Sequence, residues 1–221
     1  LDEADRMLAA CKGKGVKIAY AHQNRAYPGP ALVQDYLAEG KLGRLRAIRA
    51  YGKQDRRGGG MDLLVLGTHM LDLMRLFAGG ARWCHAHLTK GGHDVTVDDI
   101  ELAQEQGGLI AGDDVIAQYG FDMGVLGTYE CGRAGDGGGT SYFRIEVCGT
   151  DGILAFWSSP ESPVYFFPGP FAPPDRASEW KLIQPKPLPV PDGPENRRGG
   201  MHTANQLIVG DLLAAVEEDR E

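Results

Sequence analysis

The sequence has no run of roughly 18 apolar residues, the length an α-helix needs to cross a bilayer, and no basic segment followed by an apolar one near its start. Neither a membrane anchor nor an export signal is expected from it. Cysteine is scarce. Cys11, Cys84, Cys131 and Cys148 stand far apart with no C-x-x-C pair, so no disulfide framework or redox dithiol is indicated and a reducing cytoplasm suits the chain. Positive charge is also short: 23 Lys and Arg against 30 Asp and Glu leave a net charge of -7. An acidic surface repels polyanions, which excludes nucleic acid and anionic membrane as main partners. Also missing are G-x-G-x-x-G, G-x-S-x-G and H-E-x-x-H, so no glycine-rich phosphate loop, hydrolase elbow or zinc-protease helix is present.

What is there describes a globular protein. With 221 residues, 43% of them hydrophobic, the chain can bury a sizeable core as one domain, or as a small domain with an appended piece. Prolines crowd between Pro160 and Pro194, a stretch expected to be loop or edge strand. The chain opens at Leu1 and closes at Glu221 inside helical patterns, and is expected to be a piece of a longer protein. Asp2 to Lys14 has helical spacing ended by Gly13 and Gly15, and Val16 to Ala21 is a short apolar run of the kind a buried parallel strand shows. Together they predict the closing helix and strand of a doubly wound sheet. A helix after "YPGP", a strand over Leu45 to Lys53 and a helix over Asp62 to Phe77 follow. Alternating runs then predict strands at Trp83–Leu88, Val115–Phe121, Val125–Cys131, Tyr142–Val147, Ile153–Trp157 and Val164–Phe167, with a hairpin loop at Gly135–Thr140 and an amphipathic helix from Met201 to Glu218. The expected fold is α+β: an open, mostly antiparallel sheet covered by helices on one face.

Two groups of residues could carry chemistry. His69 is a titratable ring in an otherwise apolar helix, and burial would favour its neutral, proton-accepting form. Asp72 and Arg75 share its stripe at steps of three, Thr68 lies four before Asp72, and Asp62 lies two turns before His69. The plainer alternative is a core histidine satisfied by a backbone carbonyl or by Asp72. The second group, "AHQNRAY", follows the first strand, where open α/β sheets collect ligands. It offers His22, Gln23, Asn24, Arg25 and Tyr27 to a polar substrate, and Arg25 could fork onto an anion; a solvated turn whose Arg pairs with a surface acid is the alternative. His85 and His87 share a strand face but lack a third ligand, so no metal is expected.

In order along the chain, "EADRMLAACKGKGVKIAYAHQNR", "LAEGKLGRLRAI", "GGGMDLLVLGTHMLDLMRLFAGG", "GDDVIAQYGFDMGVLGTYE", "EVCGTDGIL" and "NQLIVGDLLAAVEEDRE" resemble the glucose-fructose oxidoreductase and inositol dehydrogenase (Gfo/Idh/MocA) family. The resemblance implies an NAD or NADP-dependent oxidoreductase of sugars, polyols or related hydroxy compounds, acting as a homo-oligomer joined through the open sheet face. It implies that residues 1–27 close a dinucleotide-binding Rossmann domain and that 28–221 form a substrate-binding and oligomerisation domain cut at its C-terminal end. The family's Glu-Lys-Pro motif and glycine-rich loop do not occur here, so this piece alone is expected to be inactive. The His of the family's Asp-x-x-x-His motif falls on His69, implying an acid/base role there, but Val65 stands where the Asp would be. Asp62 or Asp72 would have to supply that carboxylate. Gln23, Asn24, Arg25, Tyr27, Asp62, Thr68, Asp72 and His202 are the implied substrate-side residues. Two alternatives remain open: a non-catalytic module that holds substrate and assembles, or a glycoside-processing enzyme that oxidises its substrate transiently.

Overall fold

Asp2, Glu3 and Asp5 in the first turn and Lys12 and Lys14 in the last complement the dipole of α1 (Asp2–Lys14). Gly15, at φ +64°, then lets the Val16 N–H turn back onto the Cys11 carbonyl and close the helix. The structure, a computed structural model, describes residues 2–105, 107–133, 142–188 and 200–220. The expected strand at Val16 to Ala21 is corrected here: the segment is extended but joins no sheet, and Val16 and Tyr20 are 56% and 61% exposed. A strand exists through its ladder, and no described strand lies beside this one to supply it.

Pro28 and Pro30 open α2 (Pro28–Ala38), where a missing N–H costs nothing. The sheet centres on β1 (Leu45–Tyr51). Beside it on one hand run β7 (Leu126–Gly132), β6 (Asp114–Gly120), β2 (Trp83–Lys90) and β3 (His93–Asp94); on the other run β8 (Arg144–Gly149), β9 (Ile153–Trp157), β10 (Val164–Phe167) and β11 (Lys181–Ile183). Only the β1–β7 pairing is parallel; every other pairing in this sheet is antiparallel. A short separate hairpin joins β4 (Glu101–Leu102) to β5 (Leu109–Ile110). Within the proline-rich stretch β10 and β11 take the sheet edge, where prolines can flank a strand without breaking a central ladder. The expected Gly135–Thr140 loop lies outside the described residues.

Alternation along the strands puts Ile48, Ala50, Val115, Tyr129, Ile145, Leu154 and Phe156 on one face, packed against Val33 of α2 and the long central helix. That helix is composite: α3 (Gly59–Asp62), a π-helical turn over Leu63–Gly67, then α4 (Thr68–Ala78), which buries Met70, Leu73 and Met74. Gly67 is pressed against Tyr129, and a Cβ there would lie 2.8 Å from the phenol oxygen. α5 (Gly200–Glu217) packs on the helical turn Gln23–Ala26. The opposite sheet face leaves Trp83, Ile116 and Leu126 about half exposed, at 50%, 56% and 52%.

Candidate active site

The turn that follows the extended segment is pinned before it presents anything. Asn24 is buried and donates its Nδ2 to Ser158 Oγ at 2.6 Å, tying the turn Gln23–Ala26 to the end of β9. Arg25 forks onto Asp72: Nε donates to Oδ2 at 2.6 Å and Nη2 to Oδ1 at 2.7 Å. Both oxygens of Asp72 are thereby engaged, and Arg25 is committed to the protein rather than free to clasp a ligand anion. His22 completes this corner. Its Nδ1 lies 3.2 Å from Asp72 Oδ2, yet off the line a hydrogen bond requires, so the pair has charge proximity without a directed bond.

His69 stands one residue into α4, immediately after the π turn, a wide turn that shifts every following side chain around the helix axis. Its ring centroid is 5.3 Å from that of His22, with the planes tilted by 51°. Its Nδ1 is buried without a hydrogen-bond partner among the described residues, unlike a core histidine satisfied by a carbonyl or by Asp72. Burial holds the imidazole below its ordinary pKa; His22 pushes the same way, and Asp72 opposes both. The ring is therefore neutral at neutral pH.

A cleft of about 1140 Å³ opens beside this pair, lined by Ile18, Tyr20, His22, Arg25, Thr68, Asp72 and Arg75, and by Leu207, Ile208 and Asp211 of α5. The structure thus brings Arg25, Thr68 and Asp72 of the predicted set to one cleft; His69 does not line it and stands behind His22, which does. The others lie elsewhere. Asp62 is fully buried, accepting hydrogen bonds from Tyr129 Oη at 2.8 Å and the Lys53 N–H at 3.0 Å. Tyr27 is buried at the start of α2, where burial raises its phenol pKa. Asn24 is buried against Ser158, Gln23 is half-buried outside the cleft lining, and His202 is half-buried near the start of α5. The place of Leu207, Ile208 and Asp211 in the cleft wall and the contact between His22 and His69 had no signal in the sequence: they join positions far apart in the chain, and nothing periodic links them. On β2, His87 Nε2 lies 3.3 Å from Asp94 Oδ1, and no group of three or more potential metal-binding His, Cys, Asp or Glu side chains occurs among the described residues.

Comparison with known proteins agrees with this architecture. Residues 31–155 match the model of the GFO/IDH/MocA C-terminal domain. Levoglucosan dehydrogenase of Pseudarthrobacter phenanthrenivorans is 25% identical over 179 residues, 70% of this chain and 46% of that protein. Trans-1,2-dihydrobenzene-1,2-diol dehydrogenase of Bos taurus is 28% identical over 172 residues, 72% of this chain and 46% of that protein. The chain thus spans about half the length of these curated relatives. Among solved structures, a levoglucosan dehydrogenase complex with NADH and levoglucosan superposes with a TM-score of 0.69 at 20% identity, covering 99% of this chain and 62% of that one. An Agrobacterium radiobacter oxidoreductase with NAD+, L-tartaric acid and magnesium gives 0.65 at 14% identity, covering 100% and 60%. The matched domain accounts for more than half of the 221 residues and the open sheet is its fold, so the chain belongs to the GFO/IDH/MocA family.

Proposed function

We propose that this chain is the substrate-side part of an NAD(P)-dependent oxidoreductase acting on the CH–OH groups of sugars, polyols or related hydroxy compounds. Residues 1–27 close its dinucleotide-binding domain, and 28–221 form its substrate-binding and oligomerisation domain. The relatives named above are a sugar dehydrogenase and a diol dehydrogenase, and solved neighbours hold NADH or NAD+. Exposed Val16, Ile18 and Tyr20 are apolar groups suited to burial against such a domain. The four cysteines are all free thiols, in keeping with a cytoplasmic setting.

His69 carries the reading: a neutral imidazole with an unpartnered buried nitrogen, in contact with His22 of the cleft wall. The residues present fit the reactive end of a nicotinamide cofactor and its substrate. The cleft has room for a sugar-sized ligand with a ring beside it, and its walls combine Ile18, Leu207 and Ile208 with the polar His22, Thr68 and Asp72. None of them is a glycine-rich loop, so the cofactor's pyrophosphate would be held by other residues. A bound nicotinamide would supply a hydride acceptor for the carbinol carbon. The chain's own residues handle the rest. His69 takes the proton from the reacting hydroxyl, Thr68 hydrogen-bonds the remaining hydroxyls, and Leu207 and Ile208 keep water from the reacting carbon. Arg25 holds Asp72 in place.

In the complete protein containing this chain, NAD(P)H formation with levoglucosan and a panel of polyols tests the assignment. His69→Asn should lower kcat by about 10²–10⁴-fold with the thermal midpoint little changed. Wild-type turnover in that variant would return His69 to the core, and the absence of any cofactor-linked turnover in the parent protein would favour a holding module.

A further inference from the structure

The catalytic reading leaves His22 without a role, although it lines the cleft and touches His69. We propose that His22 is the positioning partner of His69, with Asp72 as the carboxylate that anchors the two-imidazole unit in place of the acid that Val65 cannot supply. The inference rests on the proposed acid/base role of His69 and deepens it.

Geometry leads here by elimination and by contact. Val65 has no charge to offer, and both carboxylate oxygens of Asp62 are consumed by Tyr129 and the Lys53 backbone. Asp72 is the remaining acid on the helix next to His69. Its position is set from outside the helix by the two-pronged grip of Arg25, so it is a fixed charge rather than a mobile one. Its Oδ2 lies 3.2 Å from His22 Nδ1, and the His22 ring rests against His69. The His22 side chain keeps 31% of its surface exposed toward the cleft, whereas Asp72 keeps 12%. The order of the groups is therefore Arg25, Asp72, His22, His69. The links are a two-pronged hydrogen bond, a charge contact and a ring contact, and the Nδ1 of the last ring has no hydrogen-bond partner among the described residues.

Two imidazoles this close do not both carry charge readily, so His22 disfavours a proton on His69. His69 thereby stays neutral until a hydroxyl presents its proton; the O–H bond then breaks, the proton goes to an imidazole nitrogen, and the resulting cation is balanced by Asp72. The other charged groups facing the cleft are Arg75, which opposes a cation there, and Asp211, which is paired with Arg220 at 2.6 Å.

Histidine titration by NMR on this chain, with ring carbons and nitrogens labelled, reads the coupling without cofactor or substrate. In His22→Asn the His69 resonance should titrate at higher pH than in the parent, because a neighbour that disfavours its charge is gone; in Asp72→Asn it should titrate at lower pH. His22→Gln, which keeps a polar side chain of comparable reach, should reproduce the His22→Asn shift and guards against a misfolded variant. Unchanged His69 titration in both His22 variants, with folded spectra, overturns the proposal. In the complete enzyme the acid limb of kcat/KM should move upward in His22→Asn. If the NMR coupling is present but His69→Asn retains turnover, the acid/base reading fails while the pairing stands; if coupling is absent and His69→Asn is inactive, the reverse holds.

Discussion

At the scale of single residues, a buried and a half-buried titratable group have opposite consequences for stability. Burial raises the Asp62 pKa above its unfolded value, only partly offset by the Tyr129 hydrogen bond. A carboxyl with a raised folded pKa adds stability that is fully present below the usual carboxylate range, about pH 4, and is lost as pH rises through its folded pKa. His69 works the other way: with its folded pKa depressed, its contribution is present above about pH 6.5 and fades as pH falls through the folded value. Chemical denaturation from pH 4 to 8 should therefore show a His69→Gln variant losing less stability on acidification than the parent. Tyr129→Phe removes a donor from a fully buried carboxylate, and a loss of about 1–3 kcal/mol in urea unfolding is expected. An unchanged midpoint would mean that solvent reaches Asp62.

At the scale of elements, the composite helix decides where His69 sits. Apolar residues nearly all round correctly indicate a helix packed on most sides, and the segment from Gly59 to Ala78 is helical throughout. The wide turn over Leu63–Gly67 has no pattern to announce it. Within it Gly67 lies against the ring of Tyr129, 62 residues further along the chain on β7. Gly67→Ala would drive a methyl to within 2.8 Å of the phenol oxygen and 3.0 Å of the ring, forcing the helix or the tyrosine to move. Overpacking of this sort costs about 1–3 kcal/mol and should rotate α4, so the melting temperature should fall and, on the proposed function, so should the turnover of the complete protein. A variant that melts lower yet keeps full kcat would show that the π turn does not set the His69 position.

At the scale of the whole molecule, helices cover one sheet face, and the other carries Trp83, Ile116 and Leu126 beside the charged Arg49 and Glu146. A half-exposed apolar face on an antiparallel sheet suits pairing with a second copy, as proposed for the homo-oligomer. Ile116→Glu with Leu126→Glu places repelling carboxylates across any such two-fold contact. Sedimentation should then report a smaller species than the parent at the same concentration. Equal sedimentation of the two would remove the sheet face from the assembly.

Much of this was legible in residue order. Alternation located the strands from Trp83 to Phe167 to within a residue or two, because a pleated strand with one dry face must alternate, and helical spacing located α1, α2, α4 and α5. The short strands β3, β4 and β5, each two residues long, are too brief to show a period. The candidate site was legible only in part. His69 stood out because a lone imidazole in an apolar helix is chemically unusual. Arg25 was readable as a fork but not as one already filled by Asp72, and Asp62 looked like a possible partner of His69 before Tyr129 claimed it.

The sequence by itself determined the elements, the acidic surface, the family resemblance and the one ring worth suspecting, since these depend on local spacing and composition. Tertiary structure alone decided which charges meet. Whether Arg25 reaches a ligand or a neighbouring acid, and whether His69 has His22 beside it, depends on how a turn near residue 25 and a helix near residue 70 are brought together by a sheet that belongs to neither. Short-range forces such as hydrogen bonds and desolvation act over a few ångströms in space, whatever the separation along the chain.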